Sequence, residues 1–121
     1  MRKRTRIDID SQGFAAAMDR KPLAEQAAAV QRSCERHGCG PAGQMLAKPQ
    51  GWISKMRRIA KAVKTQSVAG TLVLQGTVHD VEIAYYLSLI ESKSDEKVRE
   101  IADNINNETR QTVKRAWEEL R

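Results

Sequence analysis

Two sets of residues in this chain have the types and spacing to do chemistry: Cys34, His37, Cys39 and His79, and a run of cations between Lys48 and Lys64. The first set suggests zinc. A structural zinc site pairs two close ligand spacings. Only one is present, since His79 stands far from the Cys34 cluster. No metal is therefore expected. Cys34 reads as a small apolar helix residue, with His37-Gly38-Cys39-Gly40 as the exit from that helix. Catalysis would need a nucleophile with a base, paired acids, or a metal in a pocket. The two histidines lie in different regions, no Gly-rich phosphate loop occurs, and the carboxylates spread over helical surfaces. The expectation is a protein that is not an enzyme and has no cofactor.

The cations are the stronger signal. No Asp or Glu occurs between Glu35 and Asp80, yet Lys48, Lys55, Arg57, Arg58, Lys61 and Lys64 all fall there. Residues 1–67 hold 14 Lys and Arg against 5 Asp and Glu, and residues 68–121 hold 7 against 10. The net charge of +6 is thus concentrated in the first half, a surface that attracts a phosphate backbone. With one Phe, two Tyr and two Trp, the chain has few rings on which single-stranded RNA could stack, so duplex DNA is the expected polyanion. The rival reading is a non-catalytic adaptor or antirepressor whose basic helix docks an acidic protein partner of unknown identity.

The elements that must position these residues are helical. A chain of 121 residues has room for one compact core. Few aromatics and only 7 Gly and 3 Pro argue against an all-β fold. The expectation is an all-α, compact multi-helix domain of about six to seven helices containing a helix-turn-helix. Residues 1–21 form a basic N-terminal arm and 22–121 a single helical domain, with the helix-turn-helix at about 41–64, supporting helices over 68–105 and a C-terminal helix over 107–121.

Pro22 opens a first helix that runs to about Arg36, and Gly38 and Gly40 supply positions suited to ending it. A short second helix runs from Pro41 to Ala47. Lys48-Pro49-Gln50-Gly51 breaks the pattern. Trp52, Ile53, Met56, Ile59, Ala60 and Val63 then recur at helical spacing over about 50–64. Val68 to Gln75 reads as a short helix, since no partner strand exists. Asp80 or His79 caps a fifth helix, Ser94 precedes a sixth, and a break over Asn104–Asn107 leads to the last. The longest apolar runs fall short of the roughly 20 residues of a membrane span. The basic start meets Ile7-Asp8-Ile9-Asp10 rather than an apolar signal core. The expected location is cytoplasmic and nucleoid-associated, with no membrane partner and both cysteines as thiols.

Two helices joined by a tight turn, the second basic on its outer face, follow the helix-turn-helix plan. Gly43 is the small residue where the helices cross, Ala47 the small residue at the turn, and Leu46, Ile53 and Met56 the apolar anchors. The segment Ala42-Gly43-Gln44-Met45-Leu46-Ala47-Lys48-Pro49-Gln50-Gly51-Trp52-Ile53-Ser54 resembles the ParB/KorB-type DNA-binding domain of plasmid and chromosome partition proteins. Members carry an Ile-Ala pair, then Leu-Gly-Lys-Ser, then an aromatic or apolar residue followed by Val-Ser, and the spacing here matches throughout. Gly76-Thr77-Val78-His79-Asp80-Val81-Glu82-Ile83 with Leu87 is similar to the family's next region, and the likeness covers about residues 23–105. Gly43 stands for the family's Ala, Ala47 for its Gly, Pro49 for its capping Ser, and Met56 anchors one residue early.

The resemblance implies a sequence-specific double-stranded DNA-binding protein, a transcriptional regulator of a plasmid or other mobile element. Family members also carry an amino-terminal nucleotide-binding domain. About 20 residues precede the first helix here, so a module without nucleotide-dependent clamping is expected, either a stand-alone regulator or a fragment of a longer chain, with Met1 favouring the former.

With helix three in the major groove, Gln50, Ser54 and Lys55 face base edges and Gly51 permits close approach. Arg58 reaches a guanine or a phosphate. Arg57, Lys61 and Lys64 contact the backbone. Arg2, Lys3, Arg4 and Arg6 are arm contacts along a minor groove. A single such module reads a short site, so a homodimer is expected, with Trp117 and Leu120 as its contacts.

Overall fold

A computed structural model describes residues 20–121. It is all-helical among these residues, with seven α-helices and one 3-10 turn packed around one core. The helices are α1 (Leu23–His37), α2 (Cys39–Leu46), α3 (Gln50–Lys64), α4 (Val68–Leu74), α5 (Val81–Lys93), α6 (Asp95–Asp103) and α7 (Arg110–Leu120).

Each start has a local cause. Ser67 accepts from the Gly70 amide, Asp80 from Ile83, Ser94 from Lys97 and Thr109 from Thr112, satisfying amides that have no partner within the helix. α2 begins at Cys39, ahead of the expected Pro41, because Gly38 at φ +88° turns the chain and the Ala42 amide already bonds its carbonyl. Pro41 is tolerated in that first turn, where its missing N–H has no helical partner to lose. The last helix starts at Arg110 rather than near 107, since Ile105–Asn107 forms the 3-10 turn and Thr109 and Thr112 close a reciprocal cap.

The core gathers Val30 of α1, Leu46 of α2, Ile53, Met56 and Ile59 of α3, Leu87 and Ile90 of α5, Val98 of α6 and Val113 of α7, all almost fully buried. α5 packs against α3, α4, α6 and α7, so it is the post behind the helix-turn-helix. α7 folds back on α5. Trp117 and Leu120, the expected dimer contacts, are thereby half-covered within the chain, packed on the core. Among the described residues no helix is long and apolar enough to cross a membrane.

Candidate nucleic-acid interface

The site is α2, the turn Ala47-Lys48-Pro49, and α3. The turn holds Ala47 at φ 55°, ψ 43°, the left-handed conformation that a glycine would adopt without strain. The Lys48 amide returns to the Gly43 carbonyl at 2.9 Å and closes the connection. Pro49, extended at φ −70°, ψ 157°, precedes α3 and offers no side-chain cap. A Cβ built on Gly43 would lie 2.3 Å from Gln50 Nε2 and 3.1 Å from the Lys48 carbonyl oxygen. The two helices therefore cross as closely as the sequence requires of a small residue there. Lys48 Nζ stands 5.1 Å over the Trp52 ring, and that ring lies against the core edge.

The side chains of α3 fall into three groups. Positions 50, 54, 57, 61 and 64 alternate steps of four and three and make one stripe along the helix. Gln50, Ser54, Arg57, Lys61 and Lys64 are all exposed on it, and Gly51 is exposed beside its start. Ser54, Lys61 and Lys64 make no side-chain hydrogen bond or ion pair with the described residues. Their donors face an open groove of about 490 Å³ between α1 and α3, whose α1 wall is Gln31 and Glu35.

Gln50 and Arg57 belong to the same stripe but are tied back to α1 and α2. Gln50 Nε2 donates to the Cys39 carbonyl at 2.9 Å. Arg57 Nε donates to Gln31 Oε1 at 3.0 Å, and its Nη1 to Cys39 Sγ at 3.1 Å. These bonds pin the amino-terminal half of α3 to the start of α2.

Lys55 and Arg58 each follow a stripe residue and so sit about 100° around the helix from it. Both are half-buried and turned to α5. Lys55 Nζ bonds Glu82 Oε1 at 2.6 Å and lies 5.4 Å over the Tyr85 ring. The Glu82 hydrogen bond holds the Lys55 ammonium above its ordinary pKa of 10.5, against the opposing effect of burial. Arg58 Nε donates to Ser88 Oγ at 2.9 Å, and the Ser88 hydroxyl in turn donates to the Tyr85 carbonyl at 2.6 Å. The base-facing role expected for Lys55 and the forward reach expected for Arg58 thus meet a fold that directs both side chains to the supporting helix. Arg2, Lys3, Arg4 and Arg6 lie outside the described residues.

Glu82, Ser88 and Glu91 complete the mounting, and sequence reasoning gave them no such part. The Glu91 carboxylate accepts from the Val68 and Ala69 amides at 2.8 and 3.0 Å, fixing the start of α4 beneath α3. The available signal was a polar line of Glu82, Tyr85, Ser88 and Glu91 on an otherwise apolar helix. Asp80 both caps α5 and pairs through Oδ1 with Arg110 Nε at 2.8 Å, joining the starts of α5 and α7. No family model matches the chain, and no curated protein or solved structure matches it either.

Proposed function

We propose that this protein binds double-stranded DNA in a sequence-specific manner through the α2–α3 helix-turn-helix, as a transcriptional regulator of ParB/KorB-like type from a plasmid or mobile element. The observation that carries the reading is the exposed stripe Gln50, Ser54, Arg57, Lys61 and Lys64 on a helix that α2 props from one side and α5 from the other. An α-helix fits the major groove, and a helix held on two sides can keep a register there.

In this reading Ser54 and the exposed backbone at Gly51 approach base edges. Gln50 joins them by exchanging its bond to the Cys39 carbonyl for one to an adenine. Arg57, Lys61 and Lys64 take phosphates. Lys55 and Arg58 act by holding α3 to α5 and by adding positive potential behind the contact surface. The protein acts in the cytoplasm at the nucleoid, and two copies read two half-sites.

Selection of bound sequences from a random duplex pool, followed by a salt titration on the winners, tests the proposal. Enriched sites with affinity falling steeply in salt are expected. No enrichment and no retention at low salt would replace DNA with an acidic protein partner docked on the same stripe.

A further inference from the structure

Arg32 and Arg36 stand together near the end of α1, outside the helix-turn-helix. Both are exposed, and neither makes a side-chain hydrogen bond or ion pair with the described residues. With Ser33 and His37 of α1 and Met45 of α2 they line an open cavity of about 570 Å³. Glu35 borders this cavity and also the groove between α1 and α3, so the two openings meet across α1.

The local structure gives the two arginines no purpose. At i and i+4 they are neighbours on the helix, and like charges at that spacing repel. A cation in the last turn offsets the helix dipole, which accounts for Arg36, but Arg32 lies a turn too early for that effect. The acid beside them in sequence is turned elsewhere. Glu35 Oε1 accepts from Gln31 Nε2 at 2.9 Å, and Gln31 Oε1 accepts from Arg57 Nε at 3.0 Å. This chain draws the carboxylate to the α3 side of α1 and leaves both guanidinium groups open.

We infer that Arg32 and Arg36 form a second phosphate-binding site, on α1, which grips the backbone of the same duplex that α3 reads. The inference rests on the proposed function and adds a contact to it. Packed helices lie about 8–10 Å apart, axis to axis. The strands bordering a major groove about 12 Å wide flank an inserted helix at a comparable distance. A duplex on the α3 stripe therefore carries one strand past α1. Arg32 and Arg36 each follow a residue of the groove wall, Gln31 and Glu35, and so lie about 100° further around α1. A guanidinium offers a planar fork that fits a phosphate, and the Ser33 hydroxyl adds a donor beside the pair. The site supplies affinity and register and reads no base.

The test uses full-length protein and a duplex that it selects from a random pool. Affinity is titrated against salt, and the phosphates of the duplex are then neutralised one at a time by ethylation. Arg32→Gln/Arg36→Gln should select the same sequence while its slope of log affinity against log salt falls by about two units. Arg32→Lys/Arg36→Lys should keep the wild-type slope. Ethylation of phosphates on one flanking strand should weaken the wild type and leave the glutamine variant indifferent.

Lys114→Gln/Arg115→Gln removes the same charge from the exposed face of α7 and serves as the comparison. A slope that falls no further in the α1 variant than in the α7 one, or an ethylation pattern shared by wild type and α1 variant, would overturn the site. Unchanged duplex binding with weaker retention of polyglutamate would give the pair to an acidic protein partner and overturn the phosphate contact. Wild-type protein that binds no duplex would instead end the DNA reading, and this contact with it.

Discussion

Ala47 shows how a single residue carries the turn. A side chain in the left-handed region costs roughly 1–2 kcal/mol relative to the right-handed one, and glycine removes that cost. Ala47→Gly is therefore expected to raise stability by about 1 kcal/mol, read as a rise of several degrees in Tm, with the helix-turn-helix unchanged. The stripe residues separate by chemistry. Lys61→Ala and Lys64→Ala should each lower the slope of log affinity against log salt by about one unit without changing the selected site. Ser54→Ala should change which bases are selected and leave that slope alone. Gln50, Ser54, Arg57, Lys61 and Lys64 were named from the sequence only together with Lys55 and Arg58, because the chain shows that all seven lie on one basic helix but not how that helix is rotated. That Lys55 and Arg58 turn to Glu82 and Ser88 could not be read there, since those partners come 27 and 30 residues later.

Between elements, close approach is the governing quantity. A Cβ on Gly70 would stand 2.0 Å from the Ala62 carbonyl oxygen, so α4 crosses α3 with backbone nearly on backbone. Gly70→Ala is expected to destabilise the fold by about 1–3 kcal/mol, checked by a lower denaturant midpoint with an unchanged slope. Gly43→Ala meets the mobile end of the Gln50 side chain. It should cost less stability but release Gln50 from Cys39. Helix existence and most starts were legible because caps and apolar periodicity act within a turn or two of chain. The early start of α2 was not, because a glycine at positive φ can end one helix and begin another at the same residue. The delayed start of α7 has a related cause: its cap is built by Thr109 and Thr112 acting together.

Across the whole molecule, charge is arranged by packing as much as by composition. The basic half of the chain lends one side of α3 to solvent and spends Lys55 and Arg58 on α5. The Lys55–Glu82 pair sets a sign for pH dependence. Because Lys55 is raised in the folded state, its contribution is whole below 10.5 and disappears as pH climbs through the raised value. Thermal unfolding followed into the alkaline range should show a fall in Tm above about pH 10.5 that is smaller in Glu82→Gln. At the assembly scale, α7 already half-covers Trp117 and Leu120 on its own core. A dimer formed on DNA alone, with monomer in free solution by light scattering, is the outcome expected if those two residues are used within the chain.

Sequence by itself determined the helical class, the succession of helices, the small residue at the Gly43 crossing and the acid-free run of cations on α3, all consequences of spacing, capping and side-chain size over short distances. Only the tertiary structure decided which cations look outward. The rotation of α3 about its axis is set by burying Ile53, Met56 and Ile59 against distant helices. Residues one position from the stripe then fall to α5, where a carboxylate and a hydroxyl satisfy them.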